Sequence, residues 1–256
     1  MSEHIQVDVT EGIARIQIER PEKKNALTLD MYRGLRDAVA SAEQDAAVRV
    51  LLLHGTADCF TSGNDLKDFM DADSWVEVSP AMEFLAAISQ AKKPVVAAVN
   101  GAAVGIGTTM LLHCDLVYAG ANAVFQLPFV NLGLCPEAAS SYLLAKLAGH
   151  RRAAELLLLG ERFTAEHARE IGLVNTVYND SEVVERAVAI ASNLASKPPT
   201  ALRLTKELLK KTDAATVEDR MSEEFRHFGE LLFSAEAKEA FAAFFERRQP
   251  DFSKVQ

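Results

Sequence analysis

Three cysteines in 256 residues, Cys59, Cys114 and Cys135, are too few and too scattered to staple a fold with disulfides. None forms a C-x-x-C pair, so the common zinc and redox spacings are absent and a reducing compartment suits them best. The six histidines contain no H-E-x-x-H pair, which removes the zinc-hydrolase signature. No apolar run reaches the ~18 residues needed to span a membrane. The opening MSEHIQVDVTEG is polar and acidic, unlike a signal or transit peptide. The ending Ser253-Lys254-Val255-Gln256 is not a peroxisomal S-K-L signal. Together these absences predict a cytoplasmic protein. Basic charge is also short, with 27 Lys and Arg against 36 Asp and Glu, a net charge of −9 and a pI near 5.2. Such a surface repels phosphate backbones and argues against nucleic-acid binding. Any anionic ligand must be held by a local basic patch or by backbone N–H groups.

What is present is an ordinary globular composition, 49% hydrophobic and 25% charged. A chain of this length buries about three quarters of the surface that its unfolded form exposes. Ile5, Val7 and Val9 alternate before a Glu11-Gly12 turn, and Ala14, Ile16 and Ile18 alternate after it, which predicts a hairpin. Thr28 can cap a helix to about Ala42, with Met31, Leu35 and Val39 on one face. Val48–Leu53 and Val95–Val99 are continuous apolar runs, hence buried strands, and a helix starts at Ser79-Pro80 between them. Leu116–Ala119 and Ala123–Phe125 read as short strands. Strand, helix, strand, helix, strand predicts α/β layering with parallel pairing. From Ser140 onward helical patterns dominate almost without interruption. Lys197-Pro198-Pro199 reads as a stiff linker before a helical tail capped by Thr200, so residues 1–197 and 198–256 are the expected core and tail.

Two segments place backbone N–H groups where an anion can sit. One is Cys59-Phe60-Thr61-Ser62-Gly63-Asn64-Asp65-Leu66-Lys67, after the first buried strand. Small and turn-forming residues there bend the chain sharply, although an ordinary strand-to-helix turn has the same look. The other is Asn100-Gly101-Ala102-Ala103-Val104-Gly105-Ile106-Gly107, ahead of an apolar helix expected to start near Thr108. Glycines admit a ligand close to the backbone, and a helix start adds partial positive charge. The glycine order G-x-x-x-G-x-G is not the dinucleotide fingerprint, and Asp115 follows too soon for one. Tight packing alone explains many such turns.

Taken together, F-T-S-G-N-D-L-K and the later K-P-V-V-A-A-V-N-G-A-A-V-G-I-G resemble the crotonase (enoyl-CoA hydratase/isomerase) superfamily. So do L-L-G-E-R-F-T-A, I-G-L-V-N, the opening E-R-P-E-K-K-N-A-L and the closing A-F-x-x-F-x-x-R-R-x-P-x-F, from about Ile5 to Phe252. The resemblance implies an α/β fold built as a spiral of ββα turns with a helical C-terminal region, assembled as a homotrimer or a dimer of trimers. It implies an acyl-CoA thioester as substrate, with coenzyme A part of the substrate and no further cofactor or metal. It assigns an oxyanion hole for the thioester carbonyl to the backbone N–H groups of Asn64 and Ile106. Preorganised donors of this kind contribute about 3–4 kcal/mol each to enolate formation. Lys24, Ala26, Ser62, Asp65, Leu66 and Lys67 fall in segments that line the CoA site in the family. Asp65 reads equally as a turn cap, and Lys24, Lys67, Arg247 and Arg248 equally as solvated surface.

Counting carboxylates separates the reactions. Hydratases of the family use two glutamates, and those positions hold Thr109 and Phe129 here, neither able to shuttle a proton near neutral pH. Glu137 is the one acid between Asp115 and Glu155, set among Leu134, Cys135, Pro136, Ala138 and Ala139. Apolar surroundings raise a carboxyl's proton affinity, which suits a base that must also return the proton. An idle glutamate in a helix first turn is the plainer alternative. L-G-L-C-P-E-A-A-S-S with S-G-N-D-L resembles the Δ3,Δ2-enoyl-CoA isomerase branch, where a single glutamate at this position is the base. A fatty-acid β-oxidation role is what that resemblance implies. A hydratase or other crotonase-type enzyme and a non-catalytic CoA-binding scaffold remain the alternatives. His113 and Cys114 read as core.

Overall fold

The computed structural model describes residues 2–70 and 78–254. The chain opens with the hairpin β1 (Ile5–Thr10) and β2 (Ile13–Ile18), paired antiparallel from Ile5 with Ile18 to Thr10 with Ile13. Helix α1 (Leu29–Gln44) follows, and the Thr28 side chain accepts the Met31 N–H as its N-cap. Three turns of a spiral come next. The first is β3 (Val50–His54), β4 (Cys59–Thr61), α2 (Leu66–Met70) and α3 (Ser79–Ser89). The second is β5 (Val95–Val99), β6 (Ala102–Val104) and the short α4 (Ile106–Thr109), which tightens into a 3₁₀ turn over Met110–His113. The third is β7 (Leu116–Gly120) and β8 (Val124–Gln126).

Each turn gives one strand to each of two sheets. The larger runs β1-β2-β3-β5-β7-β10 and the smaller β4-β6-β8-β9, where β9 is Arg162–Thr164 and β10 is Thr176–Tyr178. In the larger sheet every pair after the opening hairpin is parallel. Its central strands are buried on both faces, which explains their uninterrupted apolar sequence. Leu51, Leu53, Val95, Ala97, Val99, Val117 and Ala119 join the main core with α1. The alternating set Val50, Leu52, Val96, Ala98 and Tyr118 packs a second layer against Val183, Ala187 and Ala191. Those three residues belong to α8 (Val183–Ala195), which is reached through α5 (Ser140–Ala148), α6 (His150–Leu159) and α7 (Ala165–Glu170).

The tail comprises α9 (Pro199–Lys211), α10 (Ala214–Leu232) and α11 (Ala235–Glu246). Met221, Phe225, Phe228, Leu232 and Phe241 from it are buried in the main core. On α9, Lys206 is buried, reaches Asp115 Oδ2 at 2.7 Å and donates to the Lys93 carbonyl at 2.7 Å. Among the described residues no helix is long and apolar enough to cross a membrane.

Four expectations need correcting. The helical stretch after Ser140 is broken by β9 and β10, three residues each, whose pairing partners lie far away in sequence. Thr200 lies inside α9; its N-cap is Pro198, with no side-chain bond, because proline suits the first turn without one. The glycine-rich segment enters its helix at Ile106, two residues before the expected start, with Gly105 as N-cap. The first buried strand starts at Val50 rather than Val48.

Candidate active site

Two loops meet where the spiral's first and second turns lie side by side. Leu27 and Asn64 form an isolated parallel bridge: Leu27 N–H donates to Gly63 O and Asp65 N–H to Leu27 O, both at 2.8 Å. In such a bridge the backbone N–H of Asn64 itself points to the opposite side. Ile106 is the first residue of α4, so its N–H has no partner within the helix. The two loops touch because glycines let them. A Cβ on Gly63, whose φ is +91°, would stand 2.8 Å from Val104 O, and one on Gly107 would stand 2.7 Å from Thr61 Cγ2.

Glu137 reaches the same place from the third turn. Asn64, Ile106 and Glu137 line one cavity, walled by Val78, Ala81, Met82 and Leu85 of the α3 region and by Phe225 and Phe228 of α10. It holds about 310 Å³ of empty space, open mouth included. Among the described residues Glu137 is the one carboxyl on that wall. It is not in a helix first turn: Ala138 and Ala139 both take left-handed conformations, φ 62° and 54°, before α5 begins. Non-glycine residues in that region carry strain that surrounding contacts must hold. Ser140 N–H donates to Glu137 O at 3.0 Å, and His113 Nε2, 2.8 Å from the Ala138 carbonyl, must carry the proton of that bond. Burial pushes His113 down to about 4, so the ring is neutral and acts as core, as its sequence setting predicts.

Thr109 Oγ1 donates to Glu137 Oε1. The carboxyl is nonetheless pushed up to about 8, because burial outweighs that bond, and the charge of Glu224 adds to the rise. Tyr32, fully buried, donates its hydroxyl to Asn64 Oδ1; burial and the nearby Glu137 charge hold the phenol well above its usual range. Sequence reasoning missed Tyr32, Glu224 and the aromatic wall. Thr109 entered it only as a missing glutamate, though it bonds the remaining one. Phe129, the second such position, is core.

The other candidates fall into two groups. Ser62 N–H donates to Lys24 O at 3.0 Å, so the segments carrying Lys24, Ala26, Ser62, Asp65, Leu66 and Lys67 are laced together beside Asn64. The cavity wall takes Asn64 from them and none of the other six. Asp65 pairs with Arg20 at 2.8 Å and accepts the Lys67 N–H at 3.2 Å, which makes it the turn cap. Lys24 and Lys67 are exposed. Arg248 is committed to Glu239 and Glu246, each at 2.5 Å, and Arg247 is an exposed, left-handed C-cap.

A second, wider cleft between α3, α9 and α10 shares Met82 and Phe225 with the first cavity. Among the described residues no group of three or more histidine, cysteine or acidic side chains is placed to hold a metal.

Comparison with known proteins gives this geometry a family. The model of the enoyl-CoA hydratase/isomerase family matches residues 8–255. The chain is 36% identical over 243 residues to enoyl-CoA delta isomerase 2 of Rattus norvegicus, covering 93% of this chain but 62% of that protein. It therefore spans less than two thirds of that relative's length. It is 33% identical to 2,3-dehydroadipyl-CoA hydratase of Escherichia coli, covering 98% of this chain and 99% of that one. Among solved structures, an enoyl-CoA hydratase/isomerase from Pseudoalteromonas atlantica superposes with a TM-score of 0.93 at 41% identity, over 98% of this chain and all of that one. The chain belongs to the enoyl-CoA hydratase/isomerase family, within the crotonase superfamily.

Proposed function

We propose that this chain is an acyl-CoA-processing enzyme that converts 3-enoyl-CoA to 2-enoyl-CoA, with Glu137 as its single base. The observation that carries the reading is one cavity lined by a lone buried carboxyl together with Asn64 and Ile106, whose N–H groups take no partner within their bridge or helix. The ionised Glu137 takes a proton from C2, and the electrons move through the thioester onto its oxygen. The Asn64 and Ile106 N–H groups hold the resulting dienolate. Glu137 then returns the proton to C4, and the double bond comes to rest between C2 and C3. Thr109 occupies Oε1 and leaves Oε2 to meet the substrate. The proton moves without net redox change, so the reaction needs no metal or redox cofactor, and coenzyme A arrives with the substrate. The CoA portion would lie along the laced 24–27 and 62–67 segments, with exposed Lys24 and Lys67 nearest its phosphates. Beyond C4 the acyl chain would run toward Met82 and Phe225, which line both this cavity and the wider cleft.

Hydration is the second reading, favoured by end-to-end similarity to the E. coli hydratase. It lacks a second carboxyl, since Thr109 and Phe129 hold the positions where the family's hydratases carry glutamates. Assaying 3-enoyl-CoA and 2-enoyl-CoA separately, with wild type and Glu137→Gln, decides the matter. Isomerisation should fall ~10²–10⁴-fold in the variant, the usual loss for a general base. Rapid hydration of 2-enoyl-CoA untouched by the substitution would overturn the assignment. Binding of CoA esters without turnover of either would favour a scaffold. Exposed Leu208 and Leu209 on α9 suit a homotrimer or a dimer of trimers. Sedimentation at three or six times 27.9 kDa is the expected result, and a monomer at working concentration would contradict it.

A further inference from the structure

A second buried carboxyl stands behind the first. Glu224, on α10, is 6% exposed. Its Oε1 accepts the Ser141 N–H at 3.0 Å and the Ser141 hydroxyl at 2.5 Å. Its Oε2 is buried with no hydrogen-bond partner. Ser141 lies in the first turn of α5, whose free N–H groups need an acceptor and favour a negative charge. The tail therefore supplies the cap that the local sequence Ala139-Ser140 does not. Four residues before Ser141 is Glu137, joined to it through the left-handed Ala138–Ala139 turn. An aliphatic side chain at 224 would fill this apolar layer without leaving an oxygen unsatisfied. A carboxyl there calls for a reason beyond packing.

We propose that Glu224 is a positioning residue for Glu137: through Ser141 it clamps the strained turn that aims Glu137 into the cavity, with its own carboxylate set behind that turn. The inference rests on Glu137 being the base. Burial raises both carboxyls, and Glu224's negative charge further opposes a charge on Glu137. The other groups facing Glu137 are the Thr109 hydroxyl from α4, the Tyr32 phenol from α1 and Cys135 on its own loop. Facing Glu224 are Ser141 from α5, Cys135 at 3.6 Å from its carbonyl, and Arg220 on its own helix, which also pairs with Glu223. Among these described groups Glu224 is the carboxyl whose charge reaches Glu137.

The test separates clamp from charge. Glu224→Gln keeps an oxygen for Ser141 and removes the charge; Glu224→Ala removes both. Carboxyl ¹³C resonances of glutamate-labelled protein are titrated in wild type and both variants, the Glu137 signal being identified by its loss in Glu137→Gln. The Glu137 midpoint should fall by about one pH unit in Glu224→Gln. In the isomerase assay the acidic limb of kcat should move down with it. Glu224→Ala should lose ~10-fold or more in plateau kcat relative to Glu224→Gln, with KM nearly the same. An unmoved Glu137 midpoint in Glu224→Gln, or equal plateau kcat in the two variants, would overturn the proposal. Should the wild type isomerise nothing while the midpoint still moves, the coupling stands and the isomerase reading falls. An unmoved midpoint in an active isomerase has the opposite meaning.

Discussion

At the scale of single residues, the proposed chemistry depends on one carboxyl that burial keeps neutral until the pH approaches about 8. As the proposed base, Glu137 acts only when ionised, so activity should rise with pH through that region. Thr109→Val removes the bond that favours the charged form, so the limb should shift to higher pH, with Thr109→Ser restoring it; an unchanged profile would show that the bond has no influence. The same burial has a stability consequence. A carboxyl whose folded value is raised contributes most below about pH 4.5, its unfolded value, and loses that contribution as pH climbs through about 8. Glu137→Gln should therefore raise the unfolding free energy at pH 8–9 by an amount on the order of a few kcal/mol, seen as a higher Tm, with the gain shrinking toward pH 5. Calorimetry of both proteins across that range checks the sign. Part of this was readable in advance. Glu137 sits among apolar neighbours in sequence, and that local setting foreshadows its high proton affinity. The Thr109 and Tyr32 contacts were not readable, because 28 and 32 residues of chain separate the partners and only the spiral's folding brings them together.

At the scale of elements, the site is a meeting of two loops and a turn, and its accuracy depends on how closely backbones approach. Gly63→Ala combines a left-handed φ with a Cβ 2.8 Å from Val104 O, so the Asn64 loop must move. We expect destabilisation of about 1–3 kcal/mol and a drop in kcat larger than the change in KM, measured by denaturant unfolding and steady-state kinetics. A variant with wild-type kcat would show that the loop contact does not position the amides. Elements with strong local signals were legible. The hairpin alternates with period two around a Glu11-Gly12 turn, and α1 has both a threonine cap and an apolar stripe. β9 and β10 were not, because a three-residue strand carries almost no periodicity and exists only through partners such as Val124–Gln126 and Tyr118–Gly120. Glycine at 107 was visible, but its reason, contact with Thr61, was not.

At the scale of the whole molecule, the tail and the spiral share one core, and α10 supplies both the aromatic wall and Glu224. The buried Lys206 pairs with the solvent-accessible Asp115 and ties α9 to the strand region, with Asp115 Oδ2 also accepting the Val95 N–H at 2.7 Å. Lys206→Met leaves that carboxylate without its cation, but solvent reaches Asp115, so we expect a stability loss of about 1–2 kcal/mol, read by urea unfolding; no measurable loss would mean that the pair does not anchor the tail. The α/β layering was legible from the order of apolar runs, because strands buried on both faces read as continuous hydrophobic stretches. That a helix as late as α8 would cover the outer face was not, since β3 ends at His54 and β5 at Val99, far ahead in sequence of α8, which starts at Val183.

In the proposed reaction one carboxyl carries the proton from C2 to C4 of the same substrate. Single-turnover reaction of 3-enoyl-CoA deuterated at C2 tests it most directly. Deuterium should appear at C4 of the 2-enoyl product, and both rate and transfer should collapse in Glu137→Gln. Product formed at the wild-type rate by Glu137→Gln, or formed with C4 hydrogen drawn wholly from solvent by an independent group, would contradict it.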